Sequence, residues 1–181
     1  MVQPTLTRRA ALASGAAALT GAALRRPARA QEGPVRIGVL ADESSYAVSA
    51  GGPGAILAAR MAAADFGPTV LGRPIEILHA DTQNKADIGA TAARAWFDDG
   101  VDAVVDMPAT PVAAVATQIA LEKDRLAMIT GAAATEFTTT WCKPTTVMWE
   151  DDTHALAAGA AIPAVRAGGK TWFFITADTD Y

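Results

Sequence analysis

From residue 35 onward, short apolar runs alternate with longer stretches in which apolar residues recur at helical spacing. The first pattern suits strands buried on both faces; the second suits helices that hide one side. Val35-Arg36-Ile37-Gly38-Val39-Leu40 predicts a first strand. Gly51-Gly52-Pro53-Gly54 then breaks the chain, and residues 55–66 predict a helix with Leu57, Met61 and Ala64 on one face. Residues 74–80 (PIEILHA) predict a second strand, and 87–99 a helix with Ile88, Ala92 and Trp96 spaced one turn apart. A third strand follows over 102–107. In the helix predicted over 111–123, Val112, Val115, Ala116, Ile119 and Ala120 follow the i, i+3, i+4, i+7, i+8 template. Residues 126–130 predict a fourth strand and 131–144 an irregular segment. The helix predicted over 153–166 carries Ala157, Ala158, Ala161, Ile162 and Val165 on one face and ends at Gly168-Gly169. Residues 171–176 predict a last strand.

Strands alternating with helices of this length predict an α/β fold, a parallel sheet flanked by helices. Ligands of such sheets bind beyond the carboxyl ends of the strands. The loops that lie there are 41–52, 81–85, 108–110 and 131–135. Three of them are small and hydroxyl-rich: Ser44-Ser45, Pro108-Ala109-Thr110 and Gly131-Ala132-Ala133-Ala134-Thr135. Small side chains let backbone N–H groups approach a ligand. A helix starting just beyond offers unpaired donors and a positive dipole end to a carboxylate or polar amide. The same residues also suit ordinary helix-starting loops.

Composition changes the picture at the N-terminus. Residues 1–30 hold five arginines (Arg8, Arg9, Arg25, Arg26, Arg29) and no acid. Arg8-Arg9 precedes a weakly apolar Ala/Gly/Leu stretch over 10–24, and Ala28-Arg29-Ala30 is a small-x-small cleavage pattern. Together these predict a secretory signal peptide of the twin-arginine type over 1–30, cleaved near Ala30, and a periplasmic protein. The competing reading, an amphipathic helix of a cytosolic protein, leaves those arginines without a balancing carboxylate. Removing five of the 15 basic residues leaves 10 against 19 acidic ones, so the net charge moves from −4 to −9. So acidic a surface is a poor match for nucleic-acid phosphates. With 51% hydrophobic and 19% charged residues the chain should fold. No apolar run reaches the roughly 18 residues of a membrane span. The single cysteine, Cys142, reads either as half of a disulfide whose partner lies elsewhere or as a buried free thiol.

Catalytic patterns fit poorly. Gly52-Pro53-Gly54 is followed by Leu57 where a dinucleotide fingerprint wants glycine, and it lies too far beyond the first strand. There is no Walker-type loop, and none of Ser44, Ser45 or Ser49 sits in a G-x-S-x-G elbow. His79 and His154 read as surface or helix-end residues, and with Cys142 they make no zinc pattern. The acidic groups Asp98-Asp99, Glu150-Asp151-Asp152 and Asp178-Thr179-Asp180 read as solvated turns and caps. The expectation is a binding protein with no enzymatic role, no cofactor and no metal.

Four stretches carry a resemblance: RIGVLADESSYAVSAGGPGAILAARMAAADF, ADTQNKADIGATAARAWFDDGVDAVVD, ITGAAATEFTTTWCKP and GGKTWFFITAD. In this order and spacing they resemble the type I periplasmic solute-binding proteins of ABC transporters, the leucine/isoleucine/valine-binding group with its amide- and urea-binding relatives. That resemblance implies two α/β lobes closing on a small solute and delivering it to an ABC permease in the inner membrane. It implies a first lobe, incomplete, over 31–150 and the start of a second over 151–181. It also implies ligand contacts from Ser45 and Tyr46, from Pro108, Ala109 and Thr110, from Ala132, Ala133 and Ala134, and from Tyr181. Relatives often carry a hydroxyl near position 134, where this chain has Ala134. Trp149 reads either as a wall of the cleft or as packing under the hinge. The solute implied is an amino acid, an amide, urea or a small carboxylate. With most of a second lobe expected to be missing, the chain alone is expected to bind weakly or not at all. A ligand-sensing module of a receptor or regulator, built on the same fold, is the alternative.

Overall fold

A computed structural model describes residues 33–175. The expected signal peptide and Tyr181 lie outside the described residues. The elements, in chain order, are β1 (Val35–Ala41), α1 (Val48–Gly51), α2 (Pro53–Phe66), β2 (Thr69–Val70), β3 (Arg73–Asp81), α3 (Ala86–Asp98), β4 (Ala103–Asp106), α4 (Thr110–Glu122), β5 (Leu126–Ile129), a 3-10 turn (Thr135–Thr138), β6 (Thr146–Met148) and α5 (Thr153–Arg166). The six strands form one sheet in the order β2-β3-β1-β4-β5-β6. Only the β2–β3 pair is antiparallel. β1 therefore lies centrally, and the chain winds outward from it in both directions.

The pleat of each strand decides which helix it meets. Val39 and Ala41 point to one face and pack with Ile56 of α2. Leu40, between them, points to the other face, where it joins Val104, Ala127 and Ile129 under α3 and α4. On α4 the expected Val112, Ala116, Ile119 and Ala120 are buried there, whereas on α3 the buried face, Gly89, Ala93 and Phe97, lies one residue beyond the expected Ile88, Ala92 and Trp96, which are half-buried. Gly38 permits the close approach of α3, because a Cβ there would collide with the Trp96 ring. On α2 the inward face is Ala55, Ile56 and Ala59, so Leu57 and Met61 face outward, 58% and 56% exposed. Among the described residues a single helix covers this side. An apolar groove of about 670 Å³ remains between Phe66 and Ala62 of α2 and Val105 and Met128 of the sheet.

Four features differ from the sequence expectation. The β2–β3 hairpin turns through Leu71 (φ 51°) and Gly72 (φ 76°), the doubly left-handed pair of a tight hairpin turn, with Leu71 fully out in solvent. β6, too short to show alternation, is fixed by pairing with β5. Residues 171–175 form no strand: Phe173, Phe174 and Ile175 are 88%, 76% and 91% exposed, with no strand among the described residues to pair with them. α5 has the predicted bounds and an Asp152 N-cap accepting from the Ala155 N–H at 2.7 Å, yet none of its residues is buried.

Candidate ligand-binding site

The loops after β1, β3, β4 and β5 all leave the carboxyl edge of the sheet, and three acids, two of them buried, organise them. Asp42 is fully buried at the end of β1. Its carboxylate accepts from the N–H of Ser45 (2.8 Å), the N–H of Ala47 (2.9 Å) and the Ser45 hydroxyl. The β1–α1 loop is thus wound around an internal anion, each N–H serving as a charge-assisted donor. Asp81, at the end of β3, accepts from the Ser44 hydroxyl and from the N–H groups of Glu43 and Gln83, both at 2.9 Å. The Ser44 hydroxyl, followed by those two N–H groups, holds its carboxyl below the usual value of 3.8 against the opposing effect of burial. His79 pairs with Glu43 at 2.9 Å, and Thr82 donates its hydroxyl to the Ala41 carbonyl at 2.8 Å. These bonds tie the first two loops to each other and to the strand ends.

The third and fourth loops meet the first at Asp106. A Cβ on Gly51 would lie 2.6 Å from Pro108 Cβ and 3.1 Å from Asp106 Oδ2. A Cβ on Gly131 would lie 2.8 Å from Pro108 Cα and 3.4 Å from Asp106 Oδ1. Only glycine fits at either place. Asp106 (φ 79°) and Met107 (φ 61°) both occupy the left-handed region, an arrangement that costs of order 1–3 kcal/mol per residue. Met107 also precedes a proline, which disfavours compact backbone. This strain bends the chain sharply out of β4 and sets Pro108 between the two glycines. The Asp106 side chain is 5% exposed and its Oδ2 has no hydrogen-bond partner. Burial pushes its carboxyl up from 3.8 to about 7.

Just beyond, α4 begins. Ala109 is its N-cap and supplies no side-chain hydrogen bond; the first turn holds no acid, and Pro111 removes one donor. The N–H groups of Thr110 and Val112 are thus left without a side-chain partner at the positive end of a 13-residue helix. The structure distributes the expected contact residues unevenly around this point. Ser45 is turned inward onto Asp42, so its hydroxyl is committed. Tyr46 is 67% exposed and free to reach a solute. Pro108, Ala109 and Thr110 lie at the junction itself, half-buried to buried. Ala132 and Ala134 point into the core beside Phe137, which leaves Ala133 as the outward member of that loop. The Ala133 carbonyl accepts from the Thr153 N–H at 2.7 Å, and the Thr135 and Thr153 hydroxyls lie 2.9 Å apart. The loop after β5 is thereby fastened to the start of α5. Trp149 is 74% exposed beside a shallow depression formed with Met148, Glu150 and Asp151, so it does not pack beneath other described residues. Cys142 is exposed, which removes the buried-thiol reading.

The organising acids Asp42, Asp81 and Asp106 are the residues that sequence reasoning missed. Their one signal is position: each closes or directly follows a strand, where an acid reads as a solvated cap. No helix among the described residues is long and apolar enough to cross a membrane, and no cluster of histidine, cysteine or acidic residues there could hold a metal ion.

Comparison with known proteins agrees with this geometry. Residues 34–181 match the sequence profile of the family described as periplasmic binding protein. A periplasmic binding protein of Burkholderia mallei shares 44% identity at a TM-score of 0.75, over 80% of this chain and 39% of that one. A branched-chain amino acid ABC transporter periplasmic ligand-binding protein of Burkholderia xenovorans shares 34% identity at a TM-score of 0.72, over 76% of this chain and 37% of that one. A Rhodopseudomonas palustris solute-binding protein in complex with benzoate is 18% identical at a TM-score of 0.67, a likeness of fold alone. No curated protein matches the chain in sequence. The chain spans about 39% of the length of the Burkholderia mallei relative. With its doubly wound sheet and its loops gathered at the carboxyl edge, the chain belongs to the periplasmic binding protein family.

Proposed function

We propose that residues 33–150 form one wall of a cleft that captures a small carboxylate-bearing solute for an ABC importer, in a protein exported to the periplasm. The observation that carries this reading is the uncapped N-terminus of α4, opening under small-residue loops where three strand ends converge. The unpaired N–H groups there suit a carboxylate oxygen. Tyr46 and Ala133 stand on either side, and Pro108 to Thr110 form the floor. The Burkholderia xenovorans relative is a branched-chain amino acid ABC transporter ligand-binding protein, and the Rhodopseudomonas palustris protein of like fold holds benzoate; both solutes carry a carboxylate. The reaction is capture and hand-over by hinge closure, with no chemical step. Residues 151–181 begin the second lobe in this reading.

The test is calorimetric titration of the protein recovered from its source cell, with leucine and with benzoate as probes. Affinity near micromolar, about −8 kcal/mol, is expected for one of them. Ala109→Ser should then raise stability by roughly 1 kcal/mol by capping α4. It should also weaken binding, because the new hydroxyl takes the Val112 N–H, one of the two donors offered to the solute. Absence of saturable binding with both probes, or an affinity unchanged by the cap, overturns the reading.

A further inference from the structure

The convergence of the loops after β1, β4 and β5 on a single buried carboxyl has a consequence for the cleft floor. Four features meet there. The Asp106 side chain is 5% exposed, with Oδ2 unpartnered. Its backbone is held in place, since its carbonyl accepts from the Thr130 N–H at 3.2 Å and the next N–H, of Met107, donates to Leu40 at 3.1 Å. Its backbone is therefore fixed, while the residue also borders the apolar groove beneath α2. Gly51 and Gly131 close on it with no room to spare. The backbone through Asp106 and Met107 is left-handed and strained, as at sites whose geometry is imposed by function.

The ionisable groups around it offer no relief. In the β1–α1 loop, Asp42 is spent on Ser45 and Ala47, and Glu43 on His79. Residues 130–134 carry none, and the first turn of α4 carries no acid. On α2, Arg60 and Asp65 are exposed. Among the described residues no lysine, arginine or histidine pairs with Asp106, so its carboxyl must either keep its proton or, once ionised, draw in water.

We propose that Asp106 is the positioning residue of the cleft floor and works as a proton-operated latch. Neutral, it lets the loops after β1, β4 and β5 close over it. Ionised, it forces Gly51 and Gly131 away from Pro108 to admit water, and the floor of the cleft comes apart. The burial-driven rise of its carboxyl to about 7 places that change near neutrality.

The latch rests on the reading of this junction as a cleft floor, but its test uses no solute, so the two can fail separately. The measurement is hydrogen exchange of the Asp42, Met107 and Thr130 N–H groups in the full chain at pH 5.5 and pH 8, corrected for intrinsic rates. With a midpoint near 7, the ionised fraction rises from about 3% at pH 5.5 to about 90% at pH 8, and protection of these groups should fall by roughly thirtyfold. In Asp106→Asn, which keeps the shape without the charge, protection should not change with pH. A wild-type profile that is flat, or a variant that keeps the wild-type profile, overturns the latch. Should the variant not fold, carbon-detected NMR titration of the wild-type Asp106 carboxyl decides: a midpoint in the ordinary carboxylate range overturns it equally.

Discussion

Gly38 lies buried on the central strand, directly beneath the Trp96 indole of α3. A Cβ added there would collide with Cε3 and Cζ3 of that ring and stand 3.2 Å from Cη2. Gly38→Ala therefore forces the indole, and with it α3, away from β1. The backbone gain from replacing a strand glycine is about 0.5–1 kcal/mol. Overpacking of a closed core costs about 1–3 kcal/mol, and a rigid bicyclic ring cannot yield by a rotamer hop of its far end. The net expectation is a loss of roughly 1–2 kcal/mol, read as a lower urea midpoint at unchanged slope. Trp96→Leu removes the colliding atoms but leaves a cavity. In the double variant the added methyl occupies part of that space, so the two changes should couple favourably by about 1 kcal/mol or more. Chemical denaturation of the four proteins in one double-mutant cycle measures this. A Gly38→Ala protein as stable as wild type, or strictly additive effects, would refute the packing argument.

Asp42→Ala strips the β1–α1 loop of the acceptor for two N–H groups and one hydroxyl, and should cost about 2–3 kcal/mol with loss of exchange protection at Ser45 and Ala47. For Asp106 the folded carboxyl titrates at about 7 and the unfolded one at 3.8. Both states are protonated below the lower value, so the stability penalty starts there, grows as pH rises, and levels off above 7. It reaches at most about 4 kcal/mol. The stability difference between wild type and Asp106→Asn, from denaturation at pH 4 to 8, should follow that sigmoid; parallel curves would contradict it. Asp81 runs the other way: its carboxyl is held below 3.8, so its contribution is present above that value and disappears as pH falls through the lowered one. Asp81→Asn should blunt the acid-side loss in the same titration.

Hydrophobic periodicity alone determined the order of β1, β3, β4 and β5 with their helices, because each buries a face whose spacing is local: Leu40 against Val39, Val112 with Ala116 and Ile119. The loops that matter for binding followed from the same pattern, since a parallel sheet presents its carboxyl ends together. The resemblance to periplasmic binding proteins was also legible in the sequence, and the match over residues 34–181 bears it out. What the tertiary structure decided are relations between distant positions. The expected ligand residue Ser45 turned inward because Asp42 needs donors. Ala132 and Ala134 turned inward because Phe137 closes the core over them. β6 exists only by pairing with β5, and residues 171–175, equally strand-like in composition, form no strand because among the described residues no strand lies beside them. The burial of Asp106 was invisible in sequence for the same reason. An acid ending a strand is ordinarily a solvated cap, and only the closure of Gly51 and Gly131 over it, each far away in the chain, removes it from water.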